Sequence, residues 1–252
     1  MAFAHAGYLI VITDVFEAQG IEATAQMRAA GGSAPFVAMD VRSTARVDEV
    51  MAAVNAEVGA IDALVLNAGI AHQVPLTQLG DERWDRTHDI DLKDMFRIAR
   101  AALPAMRALR SGAVVWLISL MGVAWGWKEH VHCLAAKSGG IGLMRGLAAE
   151  VAADGVRVNA VAPGYVRKAQ LLSEEHSLGL AGAEAAAARA PLQRIGEPED
   201  IADVILFLAS AAARCITGQR LAPGGCRTGS PGSLKRPARR GFLGGNRIFP
   251  AN

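Results

Sequence analysis

The sequence predicts an α/β fold built on a parallel, doubly wound sheet with helices on both faces. Three observations carry this expectation. Short apolar runs rich in β-branched residues alternate with segments of helical period along the chain. The runs are continuous rather than alternating, as strands covered on both faces require. Polar or turn-forming residues close five of them, which is where such sheets present ligand-binding groups. A length of 252 residues with 52% apolar content is enough for one domain with a sizeable core.

In order, "YLIVITD" (8–14) reads as a strand, and "FEAQGIEATAQMRAAGG" as a helix halted by two glycines. "PFVAMD" (35–40) is strand-like, and "RVDEVMAAVNAEVG" is an amphipathic helix. "DALVLNAG" (62–69) is a strand running into a tight turn, and residues 81–108 read as one long helix. "AVVWLIS" (113–119) is a strand, followed by a helix over 132–153. "VRVNAVAPG" (156–164) is a strand ending in a Pro-Gly turn, and "PEDIADVILFLAS" is a helix that Pro198 helps to start. Residues 168–195, Ala-rich with Ser, Gly and Glu, read as a mobile helical insert. There is no internal repeat and no sign of a second domain.

Composition narrows the function classes. The three cysteines (Cys133, Cys215 and Cys226) are odd in number and form no CxxC pair, which argues against a disulfide framework or a zinc site. A reducing cytoplasm is the expected location. No apolar run reaches the roughly 18 residues of a membrane span, and "MAFAHAGYLIVITD" has no basic leader region. The net charge of +2 is uneven: residues 226–252 hold six Lys/Arg, no acid, five Gly and three Pro. Without those six, 20 basic residues face 24 acids, a body of about −4. The tail therefore reads as a solvated, disordered extension, and no nucleic-acid partner is expected.

At the carboxyl ends of the strands stand Asp14, Asp40, Asn67-Ala68-Gly69, Ser119 and Pro163-Gly164. An acid closing the first strand suits a ribose diol, because a carboxylate accepts from two hydroxyls and repels a 2′-phosphate.

The motifs "VITD", "MDV", "NAG", "IS" with Gly122 three residues after Ser119, and "AAKSGGIGLMRGLAAEVAADGVRVNAVAPGYV" belong together. With "PLQRIGEPEDIADVILFLAS" and "ITGQRL", they resemble the short-chain dehydrogenase/reductase family over residues 1–225. The resemblance implies a Rossmann-like fold and a nicotinamide-dependent oxidoreductase of small alcohols or ketones, working as a homodimer or homotetramer. It implies that Asp14 favours NAD over NADP and that Asp40 and Val41 lie beside the adenine. It places Asn67, Ala68 and Gly69 along the ribose and central strand, and Pro163, Gly164 and Val166 at the nicotinamide. Ser119 fits the family's carbonyl-polarising Ser, and Lys137 its Lys, which binds the nicotinamide ribose and tunes a catalytic Tyr.

Departures from the family pattern are equally specific. The family opens with a strand and a TGxxxGxG-like loop that cradles the pyrophosphate at a helix N-terminus. Met1 falls inside the helix that should follow, so first strand and Gly-rich loop are missing. In the family's strand order the missing strand is central, between "YLIVITD" and "DALVLN". Either those neighbours pair with each other, or another segment fills the place, or the true start lies upstream. The last is the favoured expectation. Counting back four from Lys137 puts Cys133 in the Tyr slot, and counting thirteen on from Ser119 puts His132 there. The count from Lys137 is preferred, because i,i+4 on one helix is rigid. Lys137 is expected to lower the thiol's pKa. Cys133 is nevertheless too short, and His132 points about 100° away around the helix. The Asn slot holds Asp91, Asp94 stands where Gly is usual, and Lys168 where a Thr commonly meets the nicotinamide amide. The family's DGG appears as Pro223-Gly224-Gly225, after which the likeness ends. Such an opening and close suggest a misassigned start and a frameshift.

Three readings follow. The first is an NAD-preferring oxidoreductase with weak or absent turnover. The second is a non-catalytic subunit or binding module (a pseudoenzyme) assembling through 81–108 and 132–153. The third is a degraded product without a stable fold.

Overall fold

The runs "GAVVWL" and "VRVNAV" become adjacent parallel strands whose side chains pack on both faces, as continuous apolar strands must. The computed structural model describes residues 1–174 and 177–223. The basic tail and Gly224-Gly225 lie outside the described residues.

Helix α1 (Ala2–His5) leads to β1 (Ile12–Asp14), α2 (Glu17–Ala29), β2 (Phe36–Ala38), α3 (Thr44–Glu57) and β3 (Ala63–Leu66). Next come α4 (Asp81–Asp91), α5 (Lys93–Leu109), β4 (Gly112–Leu117), α6 (Val131–Val151) and β5 (Val156–Val161). The last elements are α7 (Ala169–Leu172), α8 (Gly179–Arg189), α9 (Pro198–Ala209) and β6 (Arg220–Leu221). All strand pairs are parallel, in two ladders: β1 with β2, and β3-β4-β5-β6.

The doubly wound character is visible in β4. Val114 and Trp116 point into the large core shared with α3, α5 and α6, while Val115 packs with Ile201, Ile205 and Leu208 of α9. This alternation is the two-residue period of a strand. Phe3 of α1 joins the α9 side. The Trp116 ring lies so close to α6 that a Cβ on Gly140 would sit 1.5 Å from it, so only glycine fits there.

The strands β1 and β3 do not pair with each other, and no other described segment forms a strand between them. Each therefore keeps one unpaired edge. Around the smaller ladder Leu9, Val15, Phe16 and Ile21 remain exposed, and Val65 of β3 is 37% exposed.

One expectation is corrected. The long helix over 81–108 is two helices, interrupted at Leu92 (φ −137°, ψ −51°). The break separates two buried carboxylates, Asp91 and Asp94, which a period count treats as surface positions. Buried Arg97 ties the joint together by donating to Asp89 Oδ1 (2.6 Å), Thr44 Oγ1 (3.2 Å) and the carbonyls of Asp89 and Val41. The 168–195 segment carries two short helices, α7 and α8, whose Leu171, Ala183 and Ala186 form a small cluster with Ile195. Helix α9 starts as expected at Pro198, with a reciprocal cap between Glu197 and Asp200.

Candidate active site

A cleft of about 440 Å³ opens at the carboxyl ends of β3, β4 and β5. This is where a doubly wound sheet places its ligands. It gathers Asn67, Gly69, Asp91, Ser119, Cys133 and Lys137, together with Pro163, Gly164 and Val166. Ala68 lies in the same β3 turn without lining the cleft. Asp14 and Asp40 stand at the ends of β1 and β2, outside it.

The β4 strand carries the chain to Ser119, whose Oγ accepts from Met121 N at 3.1 Å. The turn continues to Gly122 (φ +81°), where a Cβ would meet Leu134 O at 2.7 Å, and Ser138 of α6 donates to the Gly122 carbonyl. Glycine thus lets the Ser119 loop close directly onto the helix bearing Lys137.

Lys137 Nζ lies 3.4 Å from Asp91 Oδ2, and Asp91 Oδ1 accepts from Ile70 N at 2.7 Å. Asp91 is fully buried; burial pushes its carboxyl up, opposed by the attraction of Lys137. Asp94, one turn on, is also buried. Burial raises its carboxyl to about 7. The sequence marked Asp94 only as an unusual residue in a glycine position.

The Tyr slot is where expectation and structure part most clearly. Cys133 does line the cleft, but its thiol is pushed up to about 11 by burial, which outweighs the attraction of Lys137. Lys137 does pull the thiol down, as expected, but burial sets the net direction, which is upward. The Sγ–H donates to Ile70 O at 3.8 Å. His132 is wholly buried outside the cleft, with both ring nitrogens unpartnered among the described residues. Burial, reinforced by repulsion from His130, holds it below the usual imidazole value, so it stays neutral. Asp40 turns its carboxylate onto Arg42, with contacts of 2.6 to 3.1 Å, and Val41 packs against the core.

Sequence reasoning missed the wall of the cleft. Trp125, Trp127, His130 and Tyr165 line it, with Tyr165 ring centroids 6.5 Å from Trp125 and 5.6 Å from Trp127. The concentration of three of the sequence's six Trp and Tyr residues in two loops was the available signal.

A nicotinamide dinucleotide fits part of this frame. A Cβ on Gly69 would come within 3.1 Å of Lys137 Nζ and 3.5 Å of Asp91 Oδ1, so the bare turn leaves the lysine reachable from the β3 end. Asp14 is exposed at the end of β1, accepting from Phe16 N at 2.9 Å. A glycine-rich amide cradle for the pyrophosphate does not occur among the described residues.

Fold and cleft define an α/β protein of the nucleotide-dependent oxidoreductase type. The model of the enoyl-(acyl carrier protein) reductase family matches residues 1–225. The chain is 32% identical over 219 residues to the 3-oxoacyl-[acyl-carrier-protein] reductase FabG of Thermotoga maritima, covering 87% of each chain. It is 40% identical over 225 residues to the cis-4-hydroxycyclohexanecarboxylate dehydrogenase of Sinomonas cyclohexanicum, covering 88% of this chain and 87% of that one. A short-chain dehydrogenase/reductase structure from Burkholderia xenovorans superposes with TM-score 0.83 at 32% identity, over 89% of this chain and 86% of the other. The chain belongs to the short-chain dehydrogenase/reductase family. It is thus an oxidoreductase homologue of a family that uses nicotinamide cofactors and small-molecule substrates. Among the described residues no helix is long and apolar enough to cross a membrane.

Proposed function

We propose that the chain is an NAD-preferring oxidoreductase homologue for secondary alcohols and ketones, with turnover weak or absent in its present form. The observation that supports this is the assembly of Ser119, Lys137 and the Asn67–Gly69 turn around one cleft whose acid/base position holds Cys133. Ser119 would donate to the substrate oxygen, Lys137 and Asn67 would hold the nicotinamide ribose, and Pro163, Gly164 and Val166 would border the ring. Asp14 would take the adenine ribose, with Asp40 and Val41 near the adenine. A bound nicotinamide supplies or accepts the hydride. The missing partner is the proton donor: a thiol held near 11 and donating to a carbonyl is poorly matched to neutral pH. Asp91 keeps Lys137 in place. A cytoplasmic homodimer or homotetramer completes this reading.

The test is to restore the acid. Cys133→Tyr should raise NADH production from a panel of secondary alcohols by about 10²-fold or more. That gain should vanish in a Cys133→Tyr, Lys137→Ala double variant. Calorimetric binding of NADH and NADPH to the wild type reports the cofactor preference independently of turnover. An inactive Cys133→Tyr that binds neither would falsify the oxidoreductase reading.

One feature favours the second reading, a non-catalytic subunit or binding module. Trp84 of α4 and Phe96 of α5 are 38% and 44% exposed, within the 81–108 segment that this reading uses for assembly. A folded oligomer that never turns over, even as Cys133→Tyr, is its expected outcome.

A further inference from the structure

Two lysines line the cleft, and Asp91 is the one carboxylate among the described residues that line it. Lys137 has Asp91 at 3.4 Å. Lys168, immediately before α7, also lines the cleft, and among the described residues it forms no ion pair. Much of this residue meets solvent. Its ammonium nonetheless sits where burial, and then repulsion from Lys137, hold it below the ordinary lysine value. Its backbone is fixed as well, since Lys168 O accepts from Leu171 N at 2.9 Å and Leu172 N at 3.2 Å. With Asp91 ionised the two ammoniums leave one surplus positive charge; with Asp91 protonated they leave more. An unpaired, partly desolvated cation in a concave site calls for an anion.

The rest of the lining is apolar and aromatic. Trp125, Trp127 and Tyr165 pack together in one part of the lining, and Leu171, Ile201 and Ile205 also line the cleft. Flat walls of this kind suit a compact ring, and about 440 Å³ admits a small cyclic molecule rather than a polymer.

We propose that the substrate of this cleft is a compact ring-bearing alcohol or ketone carrying one carboxylate, with the carboxylate held by Lys168 and the ring against Trp125, Trp127 and Tyr165. This deepens the oxidoreductase reading and rests on it for the words alcohol and ketone. The anion site and the ring wall stand on the cleft alone.

Calorimetry with benzoate and its neutral isostere benzamide tests the proposal without requiring turnover. Benzoate should bind the full chain about tenfold more tightly or better, and added salt should narrow the gap. Lys168→Gln should remove that preference while leaving benzamide affinity and the thermal transition unchanged, and Lys168→Arg should keep it. Equal binding of the two probes, no benzoate binding, or a Lys168→Gln variant that weakens both alike overturns the proposal. Inorganic pyrophosphate and NADH form the other arm. If Lys168→Gln weakens those and spares benzoate, the lysine serves the cofactor and the substrate assignment is wrong. A chain that binds benzoate through Lys168 but never produces NADH, even as Cys133→Tyr, would sink the oxidoreductase reading and leave the anion site standing.

Discussion

The two ladders of this molecule have opposite characters. In the four-stranded ladder, β4 and β5 are covered on both faces, and Trp116, Val115, Val158 and Val161 are fully buried. In the two-stranded ladder, β1 runs from half-buried to exposed, three residue pairs join it to β2, and Phe16 beside it is 63% exposed. Ser119, Cys133, Lys137 and the Pro163-Gly164 turn all hang on the first. Asp14 and Asp40 ride on the second. An isolated two-stranded ladder is marginal by itself. The packing therefore fixes the substrate side of the cleft strongly and Asp14 only weakly, while Met39 and Val41 on either side of Asp40 reach the larger core.

The contrast is broken most directly at Trp116. Trp116→Ala should cost about 3–5 kcal/mol, because the ring fills the space over Gly140 and little can collapse into it. Urea unfolding followed by circular dichroism measures it. A cost under about 1 kcal/mol would mean that the four-stranded core is loose and that the two halves do not differ.

Asp94 tests whether the strong half carries a built-in penalty. Below about pH 4 the carboxyl is protonated folded and unfolded, and it costs nothing. As pH rises, the unfolded chain releases its proton near the ordinary aspartate value of about 3.8 while the folded chain keeps it to about 7. Stability therefore falls across that window, and the loss persists above it, roughly 4 kcal/mol for the group acting alone. Asp94→Asn removes this dependence but buries an amide of its own, costing about 1–3 kcal/mol. Relative to wild type the variant should gain about 4 kcal/mol between pH 4 and pH 8, passing from a deficit to a surplus of about 2 kcal/mol. Parallel pH profiles for wild type and variant would show that Asp94 is not buried as a neutral acid.

The same two regions show how much the sequence could disclose. The strands of the larger ladder were legible because continuous burial writes a continuous apolar run, as in "AVVWL". The pairing of Cys133 with Lys137 was legible because one helix fixes an i,i+4 spacing. The break at Leu92 was not legible, since it depends on burying Asp91 and Asp94, residue types that normally mark a helix surface. The thiol's direction of shift was misjudged for a related reason. Spacing reveals that Lys137 is near, whereas burial, which dominates, is a property of the whole fold. Lys168 and the Trp125, Trp127 and Tyr165 wall meet only when two loops fold against each other across the end of the sheet, which no local pattern records.

The smallest expected effect probes the weak half. Phe16 occupies the N-cap of α2 with extended dihedrals (φ −92°, ψ 94°) and no side-chain cap. Its ring is mostly in water, so Phe16→Ser gives up little burial while supplying an oxygen for the first amides of the helix. A gain of about 0.5–1 kcal/mol is expected. Where it appears is the informative part. If β1, α2 and β2 open as their own unit, the gain will slow hydrogen exchange of the α2 amides and leave the global urea midpoint unchanged. If the two ladders unfold together, the midpoint will rise and exchange will slow equally in β4 and β5, and the division between a firm substrate side and a weakly held Asp14 would have to be abandoned.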